Sequence, residues 1–235
     1  MLPAKKLKKY IMIIVKEKPY LFGMADRLPG IDIKSLVSIF SGSIHANKKG
    51  LNGRGDVIRL VLDNGVTGIV KQYRRGGVVR YFIREYYLRK GTTRCQAEYQ
   101  MLEMAKAAGV SVPKPIAWAT TGTFFYKGWL VTKEIENSIS LVDYYDENKE
   151  NYVDIFNKTI LQMRTLIKNR ILHVDLHPGN VLVSNHQVYI IDFDKAVIKD
   201  WDEEKLRRFY LQRWRRAVLK YGLDTCITDY LSEHL

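Results

Sequence analysis

The stretch that decides the fold runs Ile171-Leu172-His173-Val174-Asp175-Leu176-His177-Pro178-Gly179-Asn180, then Val181-Leu182-Val183, the polar turn Ser184-Asn185-His186-Gln187, and Val188-Tyr189-Ile190-Ile191-Asp192-Phe193-Asp194. Two short apolar runs around a polar turn predict an antiparallel hairpin. Asn180 enters the first strand and Asp192 leaves the second, so the pairing brings both to one end. An amide oxygen and a carboxylate meeting there, with Asp175 on the loop just before, form a hard-oxygen site. Such a set suits Mg²⁺, which takes one or two carboxylates and completes its octahedron with water and substrate phosphates.

Working outward, the helical part lies around this hairpin. Ser140-Leu141-Val142-Asp143 reads as a capping box, and Val153, Phe156, Ile160, Met163 and Ile167 recur on one face of a long helix. The first third reads as strands instead. Val57 to Leu62 and Val66 to Tyr73 flank Asp63-Asn64-Gly65, a strong hairpin signal. Thr93-Arg94-Cys95-Gln96 opens a helix that Gly109 ends, with Cys95, Tyr99, Leu102 and Lys106 on one stripe and Glu98 at its edge. Pro113 and Pro115 bar helix beyond it, and Trp129 to Ile135 reads as another strand. Strands first and helices later predict an α+β fold of two lobes. We expect a strand-rich N-terminal lobe over residues 1–136 and a small helical C-terminal lobe over 137–235.

His173-Val174-Asp175 with Asn180 five residues past the aspartate resembles a kinase catalytic loop, and Asp192-Phe193-Asp194 resembles the kinase Asp-Phe-Gly metal motif. The resemblance implies a bilobal protein-kinase-like fold with ATP and Mg²⁺ as cofactors. Ile69-Val70-Lys71 then matches the strand lysine that holds the α- and β-phosphates, and Glu98 the helix glutamate that orients it. Gly53-Arg54-Gly55 takes the place of the phosphate-covering turn, although it departs from the usual spacing of glycines. Asp175 is implied as the catalytic base, and Asn180 and Asp192 as the metal ligands. His173 is expected to orient the loop rather than transfer a proton. His177 stays open between loop scaffold and substrate contact, and Asp194 between metal site and turn.

Val174 stands where many protein kinases have arginine, and no Ala-Pro-Glu follows Asp192, so protein substrates are not expected. Lys71-Gln72-Tyr73-Arg74-Arg75-Gly76-Gly77, Arg94 to Glu98, and Gly109 to Ala117 are similar to the lipopolysaccharide kinase family, most of all its 3-deoxy-D-manno-octulosonic acid (Kdo) kinase branch. This implies ATP-dependent phosphorylation of an inner-core sugar hydroxyl, the Kdo 4-hydroxyl in that branch. The acceptor would be a lipid-linked sugar of the Kdo-lipid A kind, met at the inner face of the cytoplasmic membrane. Arg74 and Arg75 are candidates for contact with acidic sugar groups, since arginine matches carboxylate and phosphate bidentately.

Composition agrees with these expectations. The 235 residues carry 38 Lys and Arg against 25 Asp and Glu, a net charge of +13, which favours anionic partners. Residues 71–94 hold eight basic residues and one acid, and 203–220 hold seven against Glu203 and Glu204. An apolar fraction of 46% excludes wholesale disorder. Two cysteines, Cys95 and Cys226, build neither a disulfide framework nor a four-cysteine zinc site. No apolar run nears the ~20 residues of a spanning helix. The apolar run after Lys5, Lys6, Lys8 and Lys9 is cut short by Lys16, so no secretory signal is expected.

An aminoglycoside- or choline-type kinase would share the motifs without needing the basic patches, and a heptose kinase of the same family would differ only in acceptor. A nucleic-acid-binding protein would account for the charge through Phe209, Tyr210 and Trp214. Those aromatics fall at helical spacing beside Leu206 and Val218, the pattern of a core stripe, and nucleic acid is not expected as a partner.

Overall fold

A computed structural model describes residues 12–43, 57–74, 85–149 and 152–235. Gly53, Arg54, Gly55, Arg75 and the lysines at 5, 6, 8 and 9 lie outside the described residues. The chain divides into two compact units, one of residues 1–96 and 115–133, the other of residues 97–114 and 134–235.

The first unit is an antiparallel sheet. Its strands are β1 (Ile13–Glu17), β2 (Tyr20–Met24), β3 (Val57–Val61), β4 (Thr67–Gln72), β5 (Tyr87–Leu88), β6 (Pro115–Thr121) and β7 (Phe125–Lys133). Their spatial order is β1-β2-β6-β7-β4-β3, with β5 also paired to β7. The expected Asn-Gly hairpin forms, with Val57 opposite Lys71 and Val61 opposite Thr67. Gly65 takes the positive φ of 77° that the turn demands, and Asn64 Oδ1 accepts from Val66 N–H. Helix α1 (Gly30–Phe40) buries Ile33, Leu36 and Ile39 against Phe22, Val70, Trp129 and Val131. The Phe40 ring stacks on Trp129 at 4.6 Å. At Gly23 any Cβ would sit 2.3 Å from the Trp118 indole, so the ring packs directly on backbone there.

Helix α2 (Arg94–Ala107) begins one residue after Thr93 and ends where Gly109 adopts φ 92°. Val110 N–H reaches back to the Ala105 carbonyl, closing the last turn as the sequence predicts. Ser111 then donates its N–H to Gln162 Oε1 at 2.7 Å and accepts from Ile190 N–H at 2.9 Å. These bonds tie the segment after α2 to the elements of the second unit.

That unit comprises β8 (Ile139–Ser140), α3 (Leu141–Glu147), α4 (Val153–Lys168), β9 (Ile171–Leu172), β10 (Val181–Ser184), β11 (Gln187–Ile190), β12 (Val197–Ile198), α5 (Glu203–Tyr221) and α6 (Cys226–His234). The predicted cap at Ser140 is present, its Oγ accepting from Asp143 N–H. Along α4 the predicted stripe is buried from Phe156 to Ile167, but Val153 in the first turn is exposed. On α5, Leu206, Tyr210, Trp214 and Val218 are fully buried, and Trp214 meets Phe156 edge to face. Of the three aromatics in question, Tyr210 and Trp214 are therefore core, whereas Phe209 lies half-buried against Trp201. Asp202 caps α5 and Gly222, at φ 66°, ends it.

Candidate active site

The loop that carries Asp175 is suspended between two β elements. Upstream, β9 pairs with β12, Leu172 facing Val197. Downstream, a 3₁₀ turn over Pro178–Asn180 leads into β10, so Asn180 precedes the strand rather than opening it. Strands β10 and β11 pair as expected, Val181 with Ile190 through to Ser184 with Gln187. Asn185 and His186, at φ 48° and 58°, make the two-residue turn of paired left-handed residues that hairpins favour. One further bond, Ile191 N–H to Asn180 C=O at 3.0 Å, extends the pairing to the open end. Asn180 and the residue before Asp192 are thereby hydrogen-bonded neighbours.

Several side chains pin the loop. Leu176 within it and Phe193 just after the hairpin are buried anchors. Asn180 Nδ2 donates to the Asp175 carbonyl at 3.0 Å. With the amide nitrogen so used, its oxygen is the end suited to a hard cation. His177 Nδ1 accepts from Gly179 N–H at 3.1 Å, and its Nε2 is 3.9 Å from Asp175 Oδ1. His177 thus serves as loop scaffold in this structure. Asp192 itself adopts φ 65°, a left-handed backbone rare for a residue other than glycine. Strain of that kind clusters at functional sites, at about 1–3 kcal/mol each.

His173 is fully buried, edge-on to Phe193, with Nε2 3.0 Å from the Ile191 carbonyl. A carbonyl only accepts, so Nε2 carries a proton, and burial disfavours a second one on Nδ1. Burial pushes its pKa down from 6.5 to about 4, with the Ile191 bond pulling the other way. This is an orienting residue, not a proton shuttle at neutral pH. The unfolded chain binds a proton between pH 6.5 and 4 that the folded chain refuses. The stabilisation is full above pH 6.5 and is lost as pH falls through about 4, at most about 3 kcal/mol. Urea unfolding should therefore show wild type losing more stability over that window than His173→Gln. Parallel curves would remove the assignment.

The first unit places Lys71 on β4, between Val57 of β3 and Leu130 of β7, with Nζ 5.2 Å from the Tyr73 ring centre. Arg74 donates to Gln72 Oε1 and lies 3.8 Å from Glu85, which Lys127 also holds at 2.7 Å. The Lys127 hydrogen bond keeps the Glu85 carboxyl below its usual range. Glu98 belongs to the second unit and is buried. Asp194 follows Phe193, half-buried in the turn after the hairpin.

One participant has no counterpart in the sequence reading. Arg213, in the middle of α5, donates through Nη2 to Asp175 Oδ1. Its only signal was helical spacing from the buried Tyr210, three residues earlier, and it was one of seven basic residues in that stretch.

Residues 48–226 match the lipopolysaccharide kinase (Kdo/WaaP) family. The chain is 29% identical over 181 residues to a 3-deoxy-D-manno-octulosonic acid kinase of Vibrio vulnificus, covering 72% of this chain and 76% of that one. A 3-deoxy-D-manno-octulosonic acid kinase of Vibrio parahaemolyticus is 33% identical over 178 residues, with 72% and 73% covered. Among solved structures, WaaP in complex with acyl carrier protein superposes with a TM-score of 0.57 over 95% of this chain and 90% of WaaP, at 16% identity. That likeness is one of fold, and the fold is protein-kinase-like.

Proposed function

The chain belongs to the lipopolysaccharide kinase (Kdo/WaaP) family, and from that premise we propose that it transfers the γ-phosphoryl group of ATP to the 4-hydroxyl of Kdo on Kdo-lipid A. The observation that carries the reading is the open end of the β10–β11 hairpin. There Asn180 is hydrogen-bonded to the residue before Asp192, and by its side chain to Asp175. An acceptor base and two hard-oxygen donors on one short framework are what phosphoryl transfer to an alcohol requires.

Asp175 accepts the proton of the attacking sugar hydroxyl, which is its whole share of the chemistry. Asn180 and Asp192 fit Mg²⁺ in donor type, and are the residues that would hold it. When bound, that ion neutralises phosphate charge as the transfer proceeds. Lys71 contributes positive charge to the α- and β-phosphates, with Glu98 as its orienting partner and Gly53-Arg54-Gly55 as the covering turn. If the two form one ion pair, Lys71→Met and Glu98→Gln together should cost little more activity than either alone. Additive losses would break the pair. Arg74, Arg75 and Asp194 are further candidates for contact with the acidic acceptor or the metal.

No helix among the described residues is long and apolar enough to cross a membrane. We place the enzyme peripherally on the anionic inner leaflet, held by basic residues. The support is charge: Lys5, Lys6, Lys8 and Lys9 in sequence, and the exposed Arg208, Arg215 and Arg216 on α5. Each basic residue near such a surface gains about 1 kcal/mol. The deciding experiment is mass spectrometry after incubation with Mg·ATP and Kdo-lipid A in anionic vesicles, beside neutral vesicles, a soluble Kdo oligosaccharide, a heptosylated acceptor and an aminoglycoside. Phosphate gain on Kdo, faster in anionic than neutral vesicles, is expected. Gain on heptose or aminoglycoside alone would refute the acceptor, and indifference to lipid charge would refute the membrane site.

A further inference from the structure

Helix α5 begins with a capped acidic turn and is otherwise strongly basic, which marks it as a surface element. Three of its residues nevertheless reach the loop that bears Asp175. Tyr210, fully buried, donates its hydroxyl to the Ile171 carbonyl at 2.6 Å and accepts from His173 N–H at 2.9 Å. It therefore bridges the Ile171–His173 backbone at the end of β9. Tyr221 flanks the other end: its ring lies 5.8 Å from that of His177, and its hydroxyl oxygen is 2.8 Å from where a Cβ on Gly179 would fall. Arg213 stands between them in sequence and donates to Asp175 Oδ1. Residues 210, 213 and 221 share one helical face, being three and eleven positions apart.

The pair between Arg213 and Asp175 is partly exposed but anchored on the arginine side. Arg213 Nε is buried and makes no hydrogen bond among the described residues, so the stem of the guanidinium is held by packing. The side chains are 37% and 45% exposed, which leaves Asp175 open to an acceptor while Arg213 holds its Oδ1. Val174 supplies no charge beside the aspartate, and His177 Nε2 is too distant at 3.9 Å to hydrogen-bond it. The cation that fixes this carboxylate comes from α5.

We propose that α5 is the positioning element of the catalytic loop and that Arg213 holds the Asp175 carboxylate in the orientation from which it accepts the sugar proton. The inference rests on the assignment of Asp175 as that base. Arg213 occupies Oδ1 and so leaves Oδ2 to receive the proton, fixing which oxygen works. It acts through Asp175 and is a positioning residue, not a catalytic one. Misplacement of a reacting group by about 1 Å already costs about 100-fold, which sets the scale for losing the clamp.

The test is a kinetic cycle in the full chain with Mg·ATP and Kdo-lipid A. Arg213→Met should lower kcat about 10- to 100-fold, with KM for the acceptor and affinity for Mg·ATP changed by less than about threefold. Arg213→Lys, which keeps the charge, should recover part of the loss. In an Asp175→Asn background, Arg213→Met should cost less than about threefold, because the group it positions is already gone. An equal loss in both backgrounds, or a raised KM with kcat unchanged, would overturn the proposal and make Arg213 a binder of acceptor or phosphate in its own right. Hydrogen exchange separates this from the identity of the acceptor, since it needs none. Arg213→Met should speed exchange at the Gly179 and Asn180 amides while the His173 amide, held by Tyr210, keeps its protection. Unchanged exchange in the loop would overturn the clamp even in an enzyme active on Kdo. Loop exchange that responds as expected, in a wild type inactive on Kdo, would refute the acceptor and leave the clamp standing.

Discussion

Replacing Asp175 by Asn should reduce phosphoryl transfer by about two to four orders of magnitude and leave the affinity for Mg·ATP within about twofold. The two halves of that expectation come from different atoms. The Asp175 carbonyl accepts from Asn180 Nδ2, and a side-chain change leaves this backbone bond in place. The loop is also held by Tyr210 at its start and by the buried Leu176 and Phe193, none of which touches the carboxylate group by a hydrogen bond. Asn therefore keeps the shape and removes the proton acceptor. Single-turnover transfer read by mass spectrometry, beside calorimetric titration with a non-hydrolysable nucleotide, separates the two. If nucleotide affinity fell as far as transfer, Asp175 would be a structural residue and the base would have to be sought elsewhere.

Much of this was legible in the residues because the signals are local. The hairpin from Val181 to Ile190 is written in apolar runs of matched length around a polar turn, and its register follows once the turn is known. The Ser140 cap, the Gly109 stop and the buried stripe of α4 are likewise set within a few residues. What escaped the reading is non-local. Strand β1 carries no such local signal: Ile13–Glu17 is short, charged at two of its five residues and only partly buried, and becomes a strand through pairing with Tyr20–Met24. Strand β6 starts on the second of two prolines, Pro115, and β7 begins at Phe125 and ends at Lys133 where the sequence suggests Trp129 to Ile135. Both are fixed by pairing with each other across the sheet, and no window of sequence contains that pairing. Arg213 is the sharpest case. It is one of seven basic residues over 203–220, and only the packing of α5 on β9 through Tyr210 singles it out.

Asp192 should show the opposite kinetic signature from Asp175, together with an effect on stability that is unrelated to its charge. Asp192→Asn keeps the shape and removes a charged hard ligand, so Mg²⁺-dependent nucleotide binding should weaken by at least about tenfold, since even outer-shell changes cost about 10- to 100-fold in metal affinity. Transfer falls with it. The flanking residues are held independently: Ile191 N–H by the Asn180 carbonyl, and Phe193 by burial against His173. Between these two anchors the backbone of Asp192 is forced to φ 65°. Asp192→Ala and Asp192→Gly both delete the carboxylate and whatever it contacts, so the difference between them reads the backbone alone. Glycine accepts the left-handed conformation at no steric cost, whereas a Cβ there costs about 1 kcal/mol or more. The Gly variant should therefore unfold in urea about 1 kcal/mol later than the Ala variant, while both are equally inactive. Equal stabilities would deny the left-handed backbone. A magnesium titration of Asp192→Asn that matched wild type would deny the ligand, and with it the reading of the hairpin's open end as the metal site.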